Sequence, residues 1–308
     1  MNNVVFLFSG QGAQKVGMGE DLAKAYPVAQ KLFEQADAAL DFSLSEVMFS
    51  GPDEELTRTS RCQPALYVHG LACLAVLQEK LPELKPAAAA GLSLGEFTAH
   101  AVAGTFDFET GLSLVAQRGA FMEEACDATD GAMAAMIGGD EEAVVQLAAD
   151  CDVDVANFNA IGQIVLSGSE EGIDKAVAEA KGRGIRMGRK LKVAGAYHSR
   201  LMSSAQDKLA GVLAETSLAE PSIPVVCNFE ARSVSGEADI KAMLEQQVTG
   251  SVRWTASMQQ LIADGYTTFV ELGPGKVLAG LMGRIDKAVK VISIEDTESL
   301  EAAVEALK

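Results

Sequence analysis

The sequence predicts an α/β fold: a parallel sheet core built by most of the chain, with a smaller α+β subdomain inserted into it. Three observations lead there. Short apolar runs alternate with stretches of helical periodicity up to about residue 129 and again from about residue 195. Between residues 130 and 194 the order changes to strand, helix, strand, strand, helix, strand. The 308 residues, 48% hydrophobic, suffice for one large core with an embellishment. The expected division is therefore a discontinuous large domain, 1–129 with 195–308, around a subdomain spanning 130–194.

Residues 4–8 (VVFLF) form a continuous apolar run ending in Ser9-Gly10-Gln11-Gly12, a buried strand feeding a loop. Leu22, Tyr26, Ala29, Leu32, Phe33, Ala36 and Leu40 then recur at helical spacing. Residues 64–77 form a helix that is apolar almost all round, and so buried. Residues 87–90 are a strand of small side chains, followed by helices over 96–103 and 112–125. In the insert, strands are expected at 132–137, 153–158, 164–167 and 185–191. Helices fall at 140–149 and 169–182, the second opened by a serine cap. That β-α-β-β-α-β order is the ferredoxin-like one. The α/β rhythm resumes with a helix at 203–215, a strand at 224–228, a helix at 257–263 and a strand at 267–272. Leu300, Val304 and Leu307 mark a terminal helix.

Composition excludes several classes of function. A net charge of −18 argues against binding nucleic acid through its phosphates, and an acidic partner would need a local basic patch. Five cysteines without C-x-x-C spacing and three histidines favour neither a disulfide framework nor a metal site. The N-terminus lacks a basic region followed by a long apolar one, and no apolar run approaches the ~20 residues that span a bilayer. A cytoplasmic protein with no membrane association is expected.

Two glycine-rich stretches invite chemistry. Residues 10–17 (GQGAQKVG) match neither a dinucleotide fingerprint, which needs Gly at Lys15, nor a P-loop, which needs Lys-Ser/Thr where Met18-Gly19 stand. Taken alone this is a plain strand-to-helix loop, whose glycines also permit close backbone approach to a ligand. Gly91-Leu92-Ser93-Leu94-Gly95 fits G-x-S-x-G, with a strand before it and a helix after it, as a nucleophile elbow requires. A serine nucleophile needs a base. His100 lies about two turns up the following helix, roughly 10 Å from Ser93 and pointing away. His69 falls on the apolar helix and reads as a core residue. His198, in the loop GAYHSRLM, is the candidate base by elimination. No carboxylate neighbours it in sequence, so a dyad oriented by a carbonyl is as open as a triad. Arg118 sits on a helix beside Gly119. It reads either as an exposed or ion-paired helix residue, or as a fork selecting substrates with a free carboxylate. Lys181, Arg183, Arg186, Arg189, Lys190 and Lys192 form a basic run in this acidic chain and lead toward His198. They suggest an anion-docking patch.

These elements occur together in one family. FSGQGAQ at 8–14, TSRCQPAL at 59–66, GLSLGE at 91–96, QRGAFM at 117–122, GAMAA at 131–135, NFNAIGQ at 157–163, AYHSRLM at 196–202 and VELGPGK at 270–276 span nearly the whole chain. In these stretches it resembles the malonyl-CoA:acyl-carrier-protein transacylases, acyltransferases of bacterial type II fatty acid synthesis. The resemblance implies a hydrolase-like α/β domain with a ferredoxin-like insert. It makes Ser93 the nucleophile, His198 the base, and the backbone amides of Gln11 and Leu94 the oxyanion donors. It also pairs Arg118 with the malonyl carboxylate, has a carbonyl of Gln247 orient His198, and puts Asn157 and Gln163 near the pantetheine path. CoA thioester and acidic acyl carrier protein are the implied substrates, the basic run is the implied dock, and no metal or redox cofactor is implied. A monomer is expected. Leu92 departs from the family, which commonly has His before the nucleophile, and Tyr197 resembles the Phe of malonyl-selective relatives. A serine esterase of α/β-hydrolase type is the rival enzyme, though its histidine belongs near the C-terminus and about 110 residues follow His198. A catalytically silent carrier-binding module and a polyketide-pathway transacylase also remain open.

Overall fold

The structure is a computed structural model and describes residues 3–308. Strands are labelled in chain order: β1 (Val4–Phe8), β2 (Ala88–Gly91), β3 (Gly131–Ile137), β4 (Asp154–Ala160), β5 (Gln163–Ser169), β6 (Met187–Lys190), β7 (Val225–Val226), β8 (Thr268–Leu272) and β9 (Lys290–Ile294). They form two sheets. The first is parallel, in the order β7-β2-β1-β8-β9, and the second antiparallel, in the order β4-β5-β3-β6.

The first sheet follows from sequence texture. All five residues of β1 are buried, as a central parallel strand covered on both faces must be. β2 is Ala-Ala-Ala-Gly, small enough for the helix Leu94–Val102 to pack closely against it. Phe8, Gly91 and Leu272 lie side by side at the carboxyl ends of β1, β2 and β8. The loop bearing Gln11 and the turn bearing Ser93 therefore leave adjacent strands at one end of the sheet. That crevice is where open α/β sheets bind ligands.

The second sheet is the expected six-element unit, with each neighbouring strand pair antiparallel and the helices Glu141–Asp150 and Glu170–Glu179 packed on one face. β4 is tied to the larger sheet's surroundings where Phe158 N–H donates to Val252 O and Val252 N–H to Ala156 O. This stitch brings Asn157 to the carboxyl-end crevice.

Several boundaries differ from the sequence reading for identifiable reasons. The helix expected through Leu22 and Leu40 is two helices, Glu20–Ala25 and Pro27–Ala39. Tyr26 precedes a proline and is held extended, with φ −130° and ψ 115°, which breaks the first helix. The buried helix starts at Thr59, ahead of Pro64, and carries that proline within its run. Helices at Leu44–Ser50, Asp53–Thr57, Glu237–Gln246 and Val277–Ile285, and the edge strand β9, were not legible. The first two are one to two turns long, too short for a periodicity to register, and β9 is only partly buried. Among the described residues, no helix is long and apolar enough to cross a membrane.

Candidate active site

Ser93 stands at the junction of β2 and the helix Leu94–Val102, with φ 55° and ψ −108°. An L-residue holds such a conformation only when its surroundings impose it. Here the surroundings are backbone. A Cβ on Gly91 would lie 1.9 Å from the Gly95 carbonyl carbon, and one on Gly95 would lie 2.3 Å from Phe8 O. The two glycines of G-x-S-x-G thus let the turn close on itself and the new helix touch β1.

His198 also has positive φ, 55°, and is 4% exposed. Its Nδ1 lies 2.7 Å from the backbone carbonyl of Gln247, and its Nε2 lies 2.8 Å from Ser93 Oγ. A carbonyl only accepts, so Nδ1 carries the proton, and Nε2 is left to accept from the serine hydroxyl. Burial, and after it the Arg118 charge, together lower the His198 pKa to about 4 against the opposing pull of backbone groups at Gln247 and Gly250. The imidazole is therefore neutral near pH 7, the state a general base requires. Of the other histidines, His69 and His100 are fully buried, and His100 Nδ1 contacts Thr105 Oγ1 at 3.0 Å. Both belong to the core.

Arg118 lies on the helix Phe108–Asp127, 1% exposed. Gly119 beside it allows that helix to press on the start of the helix Thr59–Lys80, since a Cβ there would come 2.7 Å from Thr59 O. Arg118 is therefore neither exposed nor ion-paired. Its Nη1 donates to Gln63 Oε1 at 2.7 Å, and Nη2 donates to Gln247 Oε1 at 2.9 Å and Ser93 Oγ at 3.1 Å. Its guanidinium is solvated by neutral oxygens, and its Nε is buried without a partner. Burial lowers its pKa to about 10, which leaves it charged at neutral pH. Arg118 is thus a buried cation with no carboxylate bonded to it, in direct contact with Ser93 Oγ.

Ser93, His198, Gln11, Leu92, Leu94, Gln63, Asn157, Gln163, Tyr197 and Lys192 all line one cleft of about 260 Å³. Gln11 Nε2 reaches Tyr197 Oη at 3.4 Å and Thr59 Oγ1 at 3.5 Å, and Tyr197 Oη and Thr59 Oγ1 are 2.5 Å apart. The Gln11 loop is thereby held against the aromatic residue preceding His198. Leu94 opens its helix, so its N–H has no intrahelical acceptor and faces the serine end.

The family model for the acyl transferase domain matches residues 5–298. The chain belongs to the acyl transferase domain family. It is 41% identical to the malonyl CoA-acyl carrier protein transacylase of Bacillus subtilis (strain 168), over 100% of this chain and 98% of that protein. The crystal structure of an acyl carrier protein S-malonyltransferase from Vibrio cholerae superposes with a TM-score of 0.94 at 38% identity, covering 98% of this chain and 100% of that one. A malonyl-transacylase solved in complex with a type II polyketide acyl-carrier protein superposes at 0.95, with 36% identity over 99% and 100% of the two chains.

Two features of this acyltransferase's site qualify the sequence reading. Leu92 does not disturb the contacts of Ser93 with His198 and Arg118. It packs against residues of the first sheet's second core, and its backbone and Cδ2 fill the space a side chain at Gly10 would need. The basic run is partly neutralised on the spot. Arg183 pairs with Asp150 and Glu179, and Lys190 with Glu170 and Asp174, while Lys192 lines the cleft. Lys181, Arg186 and Arg189 are exposed. Sequence reasoning missed Gln63, Glu96 and Asn228, all buried within one hydrogen bond of the residues above. The visible signal was Glu96, the one carboxylate in the largely buried helix directly after the elbow.

Proposed function

We propose that the chain transfers a malonyl group from coenzyme A to the phosphopantetheine thiol of an acyl carrier protein, through an ester on Ser93, and so supplies fatty acid elongation. One observation carries this reading: Ser93 Oγ lies between the accepting Nε2 of His198 and a donating Nη2 of buried Arg118.

His198 takes the hydroxyl proton as Ser93 Oγ attacks the thioester carbonyl. The charge that develops on the carbonyl oxygen is met by the amides of Leu94 and Gln11. Collapse expels the CoA thiolate, which takes the proton from His198. In the second half-reaction the carrier's thiol gives its proton to His198, its sulfur attacks the malonyl-serine ester, and Ser93 leaves with that proton restored. Gln247 holds Nδ1–H through its carbonyl and so keeps His198 in the tautomer both halves need. The malonate carboxylate replaces Ser93 Oγ as the partner of Arg118. A neutral acyl chain leaves that guanidinium buried and unpaired at a cost of about 3–5 kcal/mol. Asn157 and Gln163, at the cleft wall, line the pantetheine path. Lys192 and the exposed Lys181, Arg186 and Arg189 offer the acidic carrier its charge complement, with Arg183 and Lys190 contributing less because carboxylates already hold them. All five cysteines are free and buried, which suits a reducing cytoplasm, and we assign a monomer acting without metal or redox cofactor.

Intact-mass analysis after incubation with a panel of acyl-CoAs tests the reading. Wild type is expected to gain a malonyl adduct, Ser93→Ala none, and Arg118→Ala to lose its preference for malonyl over acetyl. A persistent adduct on Ser93→Ala, or unchanged selectivity in Arg118→Ala, refutes the corresponding role. Rapid hydrolysis of the ester without transfer to a carrier thiol would favour an esterase.

A further inference from the structure

Asn228 lies just beyond β7, 1% exposed, in a segment no motif marks. Its side chain bridges the strained elbow. Oδ1 accepts from the Ser93 N–H at 2.6 Å, and Nδ2 donates to the Gly91 carbonyl at 2.7 Å. Position 93 has turned out of the sheet, so its N–H has no ladder partner, and a buried unpaired amide is costly. The turn presents one donor and one acceptor two residues apart. A carboxamide offers the matching acceptor and donor in one rigid plane, whereas a carboxylate offers only acceptors.

Asn228 is itself held. Its backbone N–H donates to Glu96 Oε2 at 2.8 Å, and the same oxygen accepts from Gln247 Nε2 at 3.0 Å. Gln247 Nε2 also reaches Ser93 O at 3.2 Å, while the Gln247 backbone carbonyl holds His198. One fully buried carboxylate oxygen therefore fastens both the bracket on the nucleophile and the residue that orients the base. Its twin, Oε1, is buried without a partner, so the working contacts are two accepted hydrogen bonds on one atom. Burial drives the Glu96 pKa up to about 8, consistent with a group retained for its geometry rather than its charge.

We propose that Asn228 and Glu96 are positioning residues: Asn228 locks Ser93 Oγ in attack geometry, and Glu96 registers that lock with Gln247 and hence with His198. This rests on Ser93 being the nucleophile proposed above. The test is single-turnover acylation by malonyl-CoA alongside labelling by a fluorophosphonate, which needs the elbow and His198 but no malonyl group. Asn228→Ala is expected to slow both reactions roughly a hundredfold, with KM for malonyl-CoA within about threefold of wild type, as a misplaced nucleophile predicts. Glu96→Ala is expected to fall similarly, and Glu96→Gln to recover to within about threefold, because its carbonyl oxygen can accept both bonds. The Asn228→Ala/Glu96→Ala double variant should be no slower than the slower single, since both act through one bracket. Should Asn228→Ala fail to fold, Asn228→Asp keeps the volume and the acceptor and loses the donor, and should be at least about tenfold slow. Rates within threefold of wild type for the Asn228 variants, or Glu96→Gln as slow as Glu96→Ala, overturn the proposal. Failure of malonyl-CoA alone, with the fluorophosphonate pattern intact, would count against the substrate and leave the positioning roles supported.

Discussion

Ser93 and His198 are two of the four non-glycine residues with positive φ among those described; Asp152 and Ala231 are the others. Strain of about 1–3 kcal/mol at each is tolerated because the packing around them holds the backbone in place. Residue type and context made both legible: a serine in a strand-turn-helix frame, and the one histidine of three in a loop. Their strain was not legible, nor were Asn228 and Gln63, because a long-range hydrogen bond leaves no trace in local pattern. The third partner of His198 escapes the residue pattern for the same reason, and only the family resemblance pointed to Gln247. It is a main-chain carbonyl, which any residue type supplies. Because burial and Arg118 hold the His198 pKa near 4, the imidazole proposed as the base is already deprotonated throughout the neutral range. Burst acylation of Ser93 should therefore stay level from pH 8 to pH 6 and decline only as the pH approaches 4. A half-loss near pH 6.5, measured by rapid quench on protein shown to be folded, would contradict this. In Arg118→Ala the same acid limb should move to higher pH, since a nearby positive charge no longer opposes protonation.

At the scale of elements, the elbow depends on how closely the helix Leu94–Val102 lies on β1. A Cβ on Gly95 would meet Phe8 O at 2.3 Å and the Phe8 carbonyl carbon at 2.9 Å, both backbone atoms of a central strand that cannot give way. Gly95→Ala is expected to lose about 1–3 kcal/mol of stability to overpacking. Tilting the helix to relieve the clash should also cost acylation about a hundredfold. Gly283 is the contrast. It lies within the helix Val277–Ile285, and a Cβ there meets nothing within 4 Å. Gly283→Ala should raise stability by about 0.5–1 kcal/mol with activity unchanged. Denaturant midpoints and acylation rates for the pair separate the two effects, and a Gly95→Ala protein with wild-type rate would show that the close approach is dispensable. The sequence revealed both glycines of the elbow as a motif. What it could not reveal is that one of them abuts a different strand, because that contact depends on the parallel pairing of β1 with β2.

Across the whole molecule, the order of the second sheet and the parallel core were legible because each rests on period and order, which the chain states locally. What packing adds is a set of buried ionisable groups whose titration couples the fold to pH. His69, His100 and His198 are all buried, and desolvation lowers their pKa values to about 4, 3 and 4 from an ordinary 6.5. The unfolded chain therefore binds protons at these sites before the folded one does. Their contribution to stability is intact above pH 6.5 and is lost as the pH falls toward 4, each site costing on the order of 2 kcal/mol by pH 5. Glu96 runs the other way. Its pKa is raised to about 8 from 4.5, so the folded state holds a proton the unfolded state releases, and its contribution declines as the pH rises toward 8. Glu271, whose pKa burial also raises, acts with Glu96, but the three histidines outweigh these two carboxyls, so the melting temperature should fall as the pH is lowered from 7 to 5. Calorimetry across that range checks the sign, and a melting temperature that held steady or rose would refute it. His100→Gln isolates one contributor remote from Ser93. It should melt lower than wild type at pH 7, where the hydrogen bond between Thr105 Oγ1 and the ring is lost, yet show a shallower decline toward pH 5 because one proton-linked site is gone.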